Sequence, residues 1–493
     1  MVLNDDILRH ICDLLPPETL RSASATHPVF FDRWIKEKYR RVDLSRSDKQ
    51  SKRLWKHVQD SEWVARSVKS VHMRTWLVKP QTQTYQSRTE NALNTVAMLF
   101  DKDHTKKQVK KRLEKRLKKD LWHITSLFSV LRGIQDYHIE WDKNPTFPPQ
   151  LFAAFLQPLY AWRDTLTSLS IHIPVDLLNS FVTATLPNLQ HIHVCLSSGK
   201  MSQGRINIHL DGFLVFLHNL KDTLTSFSVR TTPGSESLEL SRFFRFLGTF
   251  PHLRAVSLMI PFDGAHLPDP QPFCKFIHKH SATLESLALK TTRCTAHAER
   301  IAPECFNWIQ TILASAIQDP FPELQNVVLA LRPLRAPFGV LMDFLRLHSP
   351  TLKSVALTDR MLELGDVCNY ILPALTASTN PIEAGYVPLK TLEMRVDALQ
   401  PRLLNSLWKK LPWLKCLKLD IADRNQMGEI VANMRRFERD LDAHGFGGDV
   451  WDLKRLEMSP GPDGLWIVAF EKILRGRIPS LECVTPAGLS DSV

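Results

Sequence analysis

Four short stretches from the middle of the chain decide the fold: FPHLRAVSL at 250–258, ATLESLAL at 282–289, FPELQNVVL at 321–329 and PTLKSVAL at 350–357. In each, a leucine is followed by two more apolar residues, three and five positions later. Side chains alternate between the two faces of a strand, so the last two apolar residues of a copy point the same way. One copy cannot bury that face alone, and neighbouring copies are therefore expected to stack.

The same spacing recurs along most of the chain. Four copies begin through Thr-Leu, and three copies between them begin through a hydrophobic residue, proline, any residue and leucine. The proline ends the preceding helix. Helical patterns such as 238–247 and 338–347 lie between the copies, so each unit is predicted to be a strand, a loop and a helix. The copies begin at Val68 (weak), Ile134, Leu166, Leu189, Leu224, Leu253, Leu284, Leu324, Leu352, Leu389, Leu414, Leu453 and Leu481.

Over roughly residues 134 to 485 this pattern resembles leucine-rich repeats. The resemblance implies an α/β horseshoe, with parallel strands on a concave face and helices on a convex face. The family's usual asparagine or cysteine, three places after the last motif leucine, is replaced by Pro174, Ser197, Thr232, Pro261 and Thr292. The family's asparagine ladder is therefore absent, which leaves the curvature and the loop geometry open but not the horseshoe of strands and helices.

The first 44 residues predict a separate module of three short helices. Asn4 or Asp5 can cap the first helix and Pro16-Pro17 stops it. Three helices of this length cannot build a large core, so the module is expected to dock on a partner. The apolar residues that set these helices are Ile7, Ile11, Leu14 and Leu15 in the first, Leu20 and Ala23 in the second, and Phe31, Ile35 and Tyr39 in the third.

The stretch Leu3-Asn4-Asp5-Asp6-Ile7, with the apolar residues after it and Tyr39-Arg40-Arg41-Val42 before the first strand, resembles an F-box. Asn4 takes the place of that family's usual proline. The resemblance implies that the module binds a Skp-type adaptor within a cullin complex, while the repeats hold a protein substrate. The adaptor-binding residues it implies are Leu3, Ile7, Ile11, Leu14, Leu15 and Leu20.

Catalytic motifs are missing from the sequence. There is no glycine-rich phosphate loop and no nucleophile elbow, so we expect neither an enzyme nor a cofactor. Cys294, His297 and Cys305 lack the paired spacing of a metal site. His191 and His193 share one face of a strand and could bind a metal, although a solvated or partner-facing pair is favoured.

The net charge of +12 is concentrated in one segment. Residues 102–119 hold ten Lys or Arg against two acidic residues, a local +8 that leaves +4 for the rest of the chain. The segment is predicted to be a helical insertion within early irregular repeats at 45–133, followed by the solenoid at 134–493. A solvated helix is favoured over nuclear import or nucleic-acid contact, because no aromatic residues interleave the charges. No membrane span is expected, and localisation is expected to be cytoplasmic, nuclear or both.

Residues that alternate with the core positions should face a substrate. Candidate substrate-binding residues are His191, His193, Glu393, Arg395, Lys418, Asp420, Arg455 and Glu457. Small residues such as Ser257, Ser286 and Ala356 occupy the same positions in the repeats between the two histidines and the charged residues. Ion pairs between neighbouring strands are the alternative role for the charged residues. Two functions remain open: a substrate-recognition subunit of a ubiquitin ligase, or a repeat scaffold unrelated to ubiquitin.

Overall fold

The computed structural model describes residues 4–46, 48–74, 104–141, 149–199, 201–232, 235, 238–262, 264–292, 308–332, 334, 338–376, 388–422, 434–444, 451–459 and 465–486. The chain forms two compact units, the first comprising Met1–Gly199 and Ile208–Leu224 and the second comprising Lys200–Asn207 and Thr225–Val493. Among the described residues, five strands lie in the first unit and nine in the second.

The first unit combines the helical module with the early repeats. Its strands β1 to β5 pair in chain order, and every pair is parallel. The strands are β1 (Arg41–Leu44), β2 (Ser70–Arg74), β3 (Asp136–Glu140), β4 (Ser168–Pro174) and β5 (His191–Ser197). The helices are α1 (Asp5–Leu14), α2 (Pro17–Ala23), α3 (Pro28–Lys38), α4 (Lys49–Asp60), α5 (Glu62–Ser67), α6 (His104–Val130) and α7 (Pro149–Ala161), with a 3₁₀ helix at Val175–Phe181.

The second unit continues the pattern of strand and helix. Its strands also pair in chain order and in parallel. They are β6 (Ser226–Thr231), β7 (Ala255–Pro261), β8 (Ser286–Thr292), β9 (Asn326–Ala330), β10 (Ser354–Leu362), β11 (Thr391–Val396), β12 (Cys416–Ile421), β13 (Arg455–Ser459) and β14 (Cys483–Pro486). After α8 (Gln203–His218), the helices are α9 (Ser241–Phe246), α10 (Gln271–His278), α11 (Trp308–Gln318), α12 (Gly339–His348), α13 (Leu364–Asp366), a π turn at Val367–Ile371, α14 (Leu372–Leu375), α15 (Pro401–Lys410), α16 (Met434–Ala443) and α17 (Leu465–Arg475).

The repeated apolar residues form the core of each unit. From Val68 to Val484 they are at most 6% exposed. The register also keeps the copies in phase, since Leu287 pairs with Val327 and Val355 with Leu392. The leucine-rich-repeat fold predicted from the sequence is therefore confirmed within each unit.

The threonines of the Thr-Leu copies link neighbouring repeats. The hydroxyl of Thr283 donates to the carbonyl of Leu253 at 2.7 Å, and that of Thr351 donates to the carbonyl of Leu324 at 2.7 Å. In the first unit, Thr165 and Thr223 make the same bond to Ile134 and Leu189, each at 2.8 Å. Each acceptor is the first apolar residue of the preceding copy. Thus a threonine in every second copy ties that copy to the one before it.

Two buried histidines add a second link between copies. Nε2 of His280 accepts from the backbone N–H of Phe250 at 2.9 Å, and Nδ1 lies 2.8 Å from the carbonyl of Phe276. Nδ1 must therefore carry the proton and donate it. His348 repeats the arrangement with the N–H of Phe321 and the carbonyl of Phe344. Burial lowers the pKa of both histidines, which keeps them neutral near pH 7.

The basic segment is part of a longer helix than the sequence predicted. Helix α6 continues to Val130, and its last turns bury Ile124, Leu127 and Phe128. The described basic side chains of the segment, among them Lys115 and Lys118, are exposed. The described part of the segment is therefore the first half of a helix whose second half packs in the core of the first unit. No described helix combines the length and the apolar character needed to cross a membrane.

Candidate functional site

The helical module exposes a set of large apolar side chains. On α1, the exposed fractions of Ile7 and Leu14 are 49% and 74%. On α3, Phe31 is 45% exposed and stacks on Trp63 of α5, with ring centroids 6.0 Å apart. Monomeric proteins seldom expose many large apolar side chains close together without a partner. These four residues are named the apolar surface of the module.

The module also has an interior, and on α1 it is made of residues other than those of the predicted apolar period. Leu8, Cys12 and Ile35 are buried, because α1 presents Leu8 and Cys12 to α3. Asn4 caps α1 by accepting from the N–H of Asp6 at 3.3 Å, and α2 begins at Pro17.

The six residues implied for adaptor binding therefore lie in different environments. Ile7 and Leu14 are exposed, and Ile11 and Leu15 are half-buried. Leu20 is 2% exposed, so it supports the module from inside and cannot contact a partner directly. Leu3 lies outside the described residues. Phe31 and Trp63 were missed as surface residues, because Phe31 fits the inward helical period and Trp63 lies beyond the predicted module.

A groove runs between α1 and α3. Cys12 and Val29 lie among its lining residues, and an ion pair of 2.9 Å joins Asp13 to Arg33 at its edge. Burial raises the pKa of the Cys12 thiol, the charge of Arg33 lowers it by less, and the charge of Asp13 raises it. The thiol is therefore protonated near pH 7 and contributes to packing, not to nucleophilic chemistry.

The charged residues predicted for substrate binding lie together on β11, β12 and β13, and they are named the charged face. Glu393 pairs in register with Lys418, and Lys418 with Glu457. Most of these charges are neutralised across the sheet. Arg395 Nε lies 2.6 Å from Asp420 Oδ2, and Lys418 Nζ lies 3.0 Å from Glu457 Oε2.

Glu457 is the centre of the charged face. Its side chain is only 9% exposed, and Arg455 Nη1 lies 3.7 Å from its second oxygen. Burial opposes the charge on Lys418, but the hydrogen bond and the negative charge of Glu457, together with Glu393, raise the pKa of Lys418. The cation is thus held in place by the carboxylates around it. Ion pairing between strands, the alternative considered from the sequence, accounts for these contacts.

The other sheet positions differ in accessibility. His191 on β5 is exposed and His193 is half-buried. The small residues Ala288 and Ala356 are each only 8% exposed, so they leave less open surface than the sequence suggested. The weak metal candidates Cys294, His297 and Cys305 lie outside the described residues.

Comparison with known proteins gives distant similarities only. No family model and no curated protein matches the chain. The crystal structure of the Rad7 and Elc1 complex in yeast matches with a TM-score of 0.37 and 11% identity, over 62% of this chain and 75% of that chain. The leucine-rich repeat-containing protein LegL7 from Legionella pneumophila matches with a TM-score of 0.36 and 15% identity, over 73% of this chain and 96% of that chain.

Proposed function

We propose that the protein is a substrate-recognition subunit of a cullin-type ubiquitin ligase. In this proposal, the helical module binds a Skp-type adaptor and the repeats bind a protein substrate. The protein makes no covalent bond itself. Its contribution is proximity, because holding a substrate lysine near the ubiquitin-carrying enzyme raises the effective concentration of the two reactants.

The observation that carries the proposal is the apolar surface of the module. Leu8 and Cys12 form the buried side of α1, whereas Ile7 and Leu14 on the same helix are exposed. A helix with apolar residues on both its inner and outer sides is suited to contact a second protein. The F-box resemblance, which includes Ile7 and Leu14, favours an adaptor as that protein.

The interface is expected to depend on a few of these residues. Apolar anchors that become fully buried usually contribute most of the binding energy of a protein interface. Ile7 and Leu14 are the most exposed of the large apolar residues on α1. Leu20 and Ile35 are unsuitable for a binding test, because replacing either would disturb the interior of the module.

Co-purification with a Skp-type adaptor tests the proposal. Ile7→Asp combined with Leu14→Asp should abolish association, because a charge cannot be buried in an apolar interface without a large desolvation cost. Ile208→Asp is the matched control, since Ile208 is 63% exposed on α8. The control should bind as the unaltered chain does, and circular dichroism should show that all three proteins are folded.

Two results would contradict the proposal. The first is the absence of any association between the unaltered chain and Skp-type adaptors by pull-down and calorimetry. The second is full association of the double variant. The first result favours the second candidate function, a repeat scaffold unrelated to ubiquitin whose module contacts a different protein. The second shows that the apolar surface does not carry adaptor binding, and so removes the observation on which the proposal rests.

A further inference from the structure

The outward positions of the first unit bring together histidines from strands that are far apart in sequence. The register aligns Asp43 on β1 with His72 on β2, and His72 with His138 on β3. The two imidazole rings are close, with centroids 4.1 Å apart and planes inclined by 49°. Glu140, two positions after His138, points to the same side of β3.

These residues place three possible metal ligands close together. One ligand atom each from His72, His138 and Glu140 lie within 4.8 Å of one another. A zinc ion, with bonds of roughly 2.0–2.2 Å to nitrogen and oxygen, would hold such atoms about 3.3 Å apart. The three side chains must therefore move closer together when an ion binds.

Unsatisfied polar atoms distinguish this group from an ordinary patch of histidines. Nε2 of His72 and Nε2 of His138 are both buried, and neither has a hydrogen-bond partner among the described residues. A buried nitrogen without a partner is costly, and coordination of a cation is one way to remove that cost. His138 Nε2 also lies 3.9 Å from Oε1 of Glu140, which places a carboxylate oxygen beside it.

Asp43 and Arg74 orient the possible ligands. Asp43 Oδ1 lies 3.4 Å from Nδ1 of His72, so Nε2 of the same ring points away from Asp43. A carboxylate on the far nitrogen of the ring is common behind metal-binding histidines. Arg74 Nε lies 2.8 Å from Oε2 of Glu140 and forms an ion pair with that carboxylate.

We propose that His72, His138 and Glu140 bind a divalent transition-metal ion on the outward side of β2 and β3. Two imidazoles and one carboxylate favour a zinc-like ion over Mg²⁺ or Ca²⁺, which prefer oxygen ligands. Three protein ligands leave a fourth position open to water or to a group from a binding partner. The proposal concerns the repeats and does not depend on adaptor binding by the module.

Calorimetric titration of the full chain with Zn²⁺ tests the site. We expect one ion per chain, and a more than tenfold weaker affinity for both His72→Gln and His138→Gln. Asp43→Asn should weaken binding about tenfold while the stoichiometry is retained, since partners behind metal ligands have effects of that size. His252→Gln is the matched control, because His252 is exposed in a loop of the second unit.

Two further measurements separate the site from loss of folding. Zn²⁺ should raise the thermal unfolding midpoint of the unaltered chain and of His252→Gln, and it should leave that of His138→Gln unchanged. Co²⁺ bound to the unaltered chain should give the visible absorption of a four-coordinate ion. The proposal is overturned if the unaltered chain binds no Zn²⁺ at micromolar concentrations, or if folded His72→Gln and His138→Gln bind it unchanged.

Discussion

Replacing Thr283 by valine tests the link between repeats most directly. Valine keeps the shape of threonine but removes the hydroxyl, which donates to the carbonyl of Leu253 at 2.7 Å. The carbonyl then loses its side-chain donor in a half-buried position. One such bond contributes about 0.5–1.5 kcal/mol, and an unsatisfied buried acceptor costs about 1–3 kcal/mol. We expect Thr283→Val to lower the free energy of unfolding by about 1–2 kcal/mol.

Urea unfolding followed by tryptophan fluorescence measures the effect. The midpoint should move to lower urea while the slope is unchanged, because the native contacts change but the surface exposed on unfolding does not. Thr351→Val should behave alike, since its hydroxyl donates to Leu324. The double variant should lose the sum of the two effects within about 0.5 kcal/mol, because the two bonds join different pairs of repeats.

Two controls isolate the hydroxyl. Thr485→Val changes an exposed threonine and should cost less than about 0.5 kcal/mol. Thr283→Ser keeps a donor and should recover most of the loss, as Ser480 already donates to the carbonyl of Leu453 at 3.0 Å. Equal midpoints for Thr283→Val and Thr485→Val would refute the reasoning.

Three further predictions concern the core, the buried histidines and the charged face. Leu287→Ala should lower the free energy of unfolding in urea by about 2–5 kcal/mol, because Leu287 is fully buried. The adjacent Ser286 points outward, so Ser286→Ala should cost less than about 0.5 kcal/mol. Equal losses would contradict the strand register. Burial lowers the folded-state pKa of His280 and His348 below 6.5. Their contribution to the free energy of unfolding should therefore be complete above pH 6.5 and fall as the pH drops towards the folded-state pKa. Replacing both by leucine should reduce the difference between the urea midpoints at pH 7.5 and pH 5. Arg395→Glu breaks a half-exposed ion pair, so it should cost no more than about 1 kcal/mol while reducing substrate capture. Lys418→Glu places a negative charge opposite the buried Glu457 and should lower the unfolding midpoint further. Unchanged capture by Arg395→Glu would move the substrate site elsewhere.

The strands and their register could be predicted from the sequence because burial of one side is decided by the apolar period. A shift by one residue would expose Leu287 and Leu289 and bury Ser286, so the pattern allows only one alignment. The same period failed on α1. There Ile7, Ile11 and Leu14 fit one helical side as well as Leu8 and Cys12 fit another, and only packing against α3 decides which is inside.

The contacts between repeats could not be read from the sequence in the same way. His72 and His138 are 66 positions apart, and their rings meet only because β2 and β3 pair in register. Alternation with the core residues Val71 and Tyr137 was the available signal, and it marks both histidines as outward. The ion pairs of the charged face need side-chain geometry as well, so the sequence left them as one of two alternatives.

The threonine links also determine how the array can be shortened or extended. From the copy at Ile134 to the copy at Leu352, copies with a threonine donor alternate with copies that lack one, whereas the acceptor is a backbone carbonyl that every copy carries. Loss of a threonine copy therefore removes one link, and loss of the copy before it places two threonine copies in succession. Duplication or loss of two neighbouring copies together keeps the alternation, and is therefore the least disruptive route by which such a chain can change length.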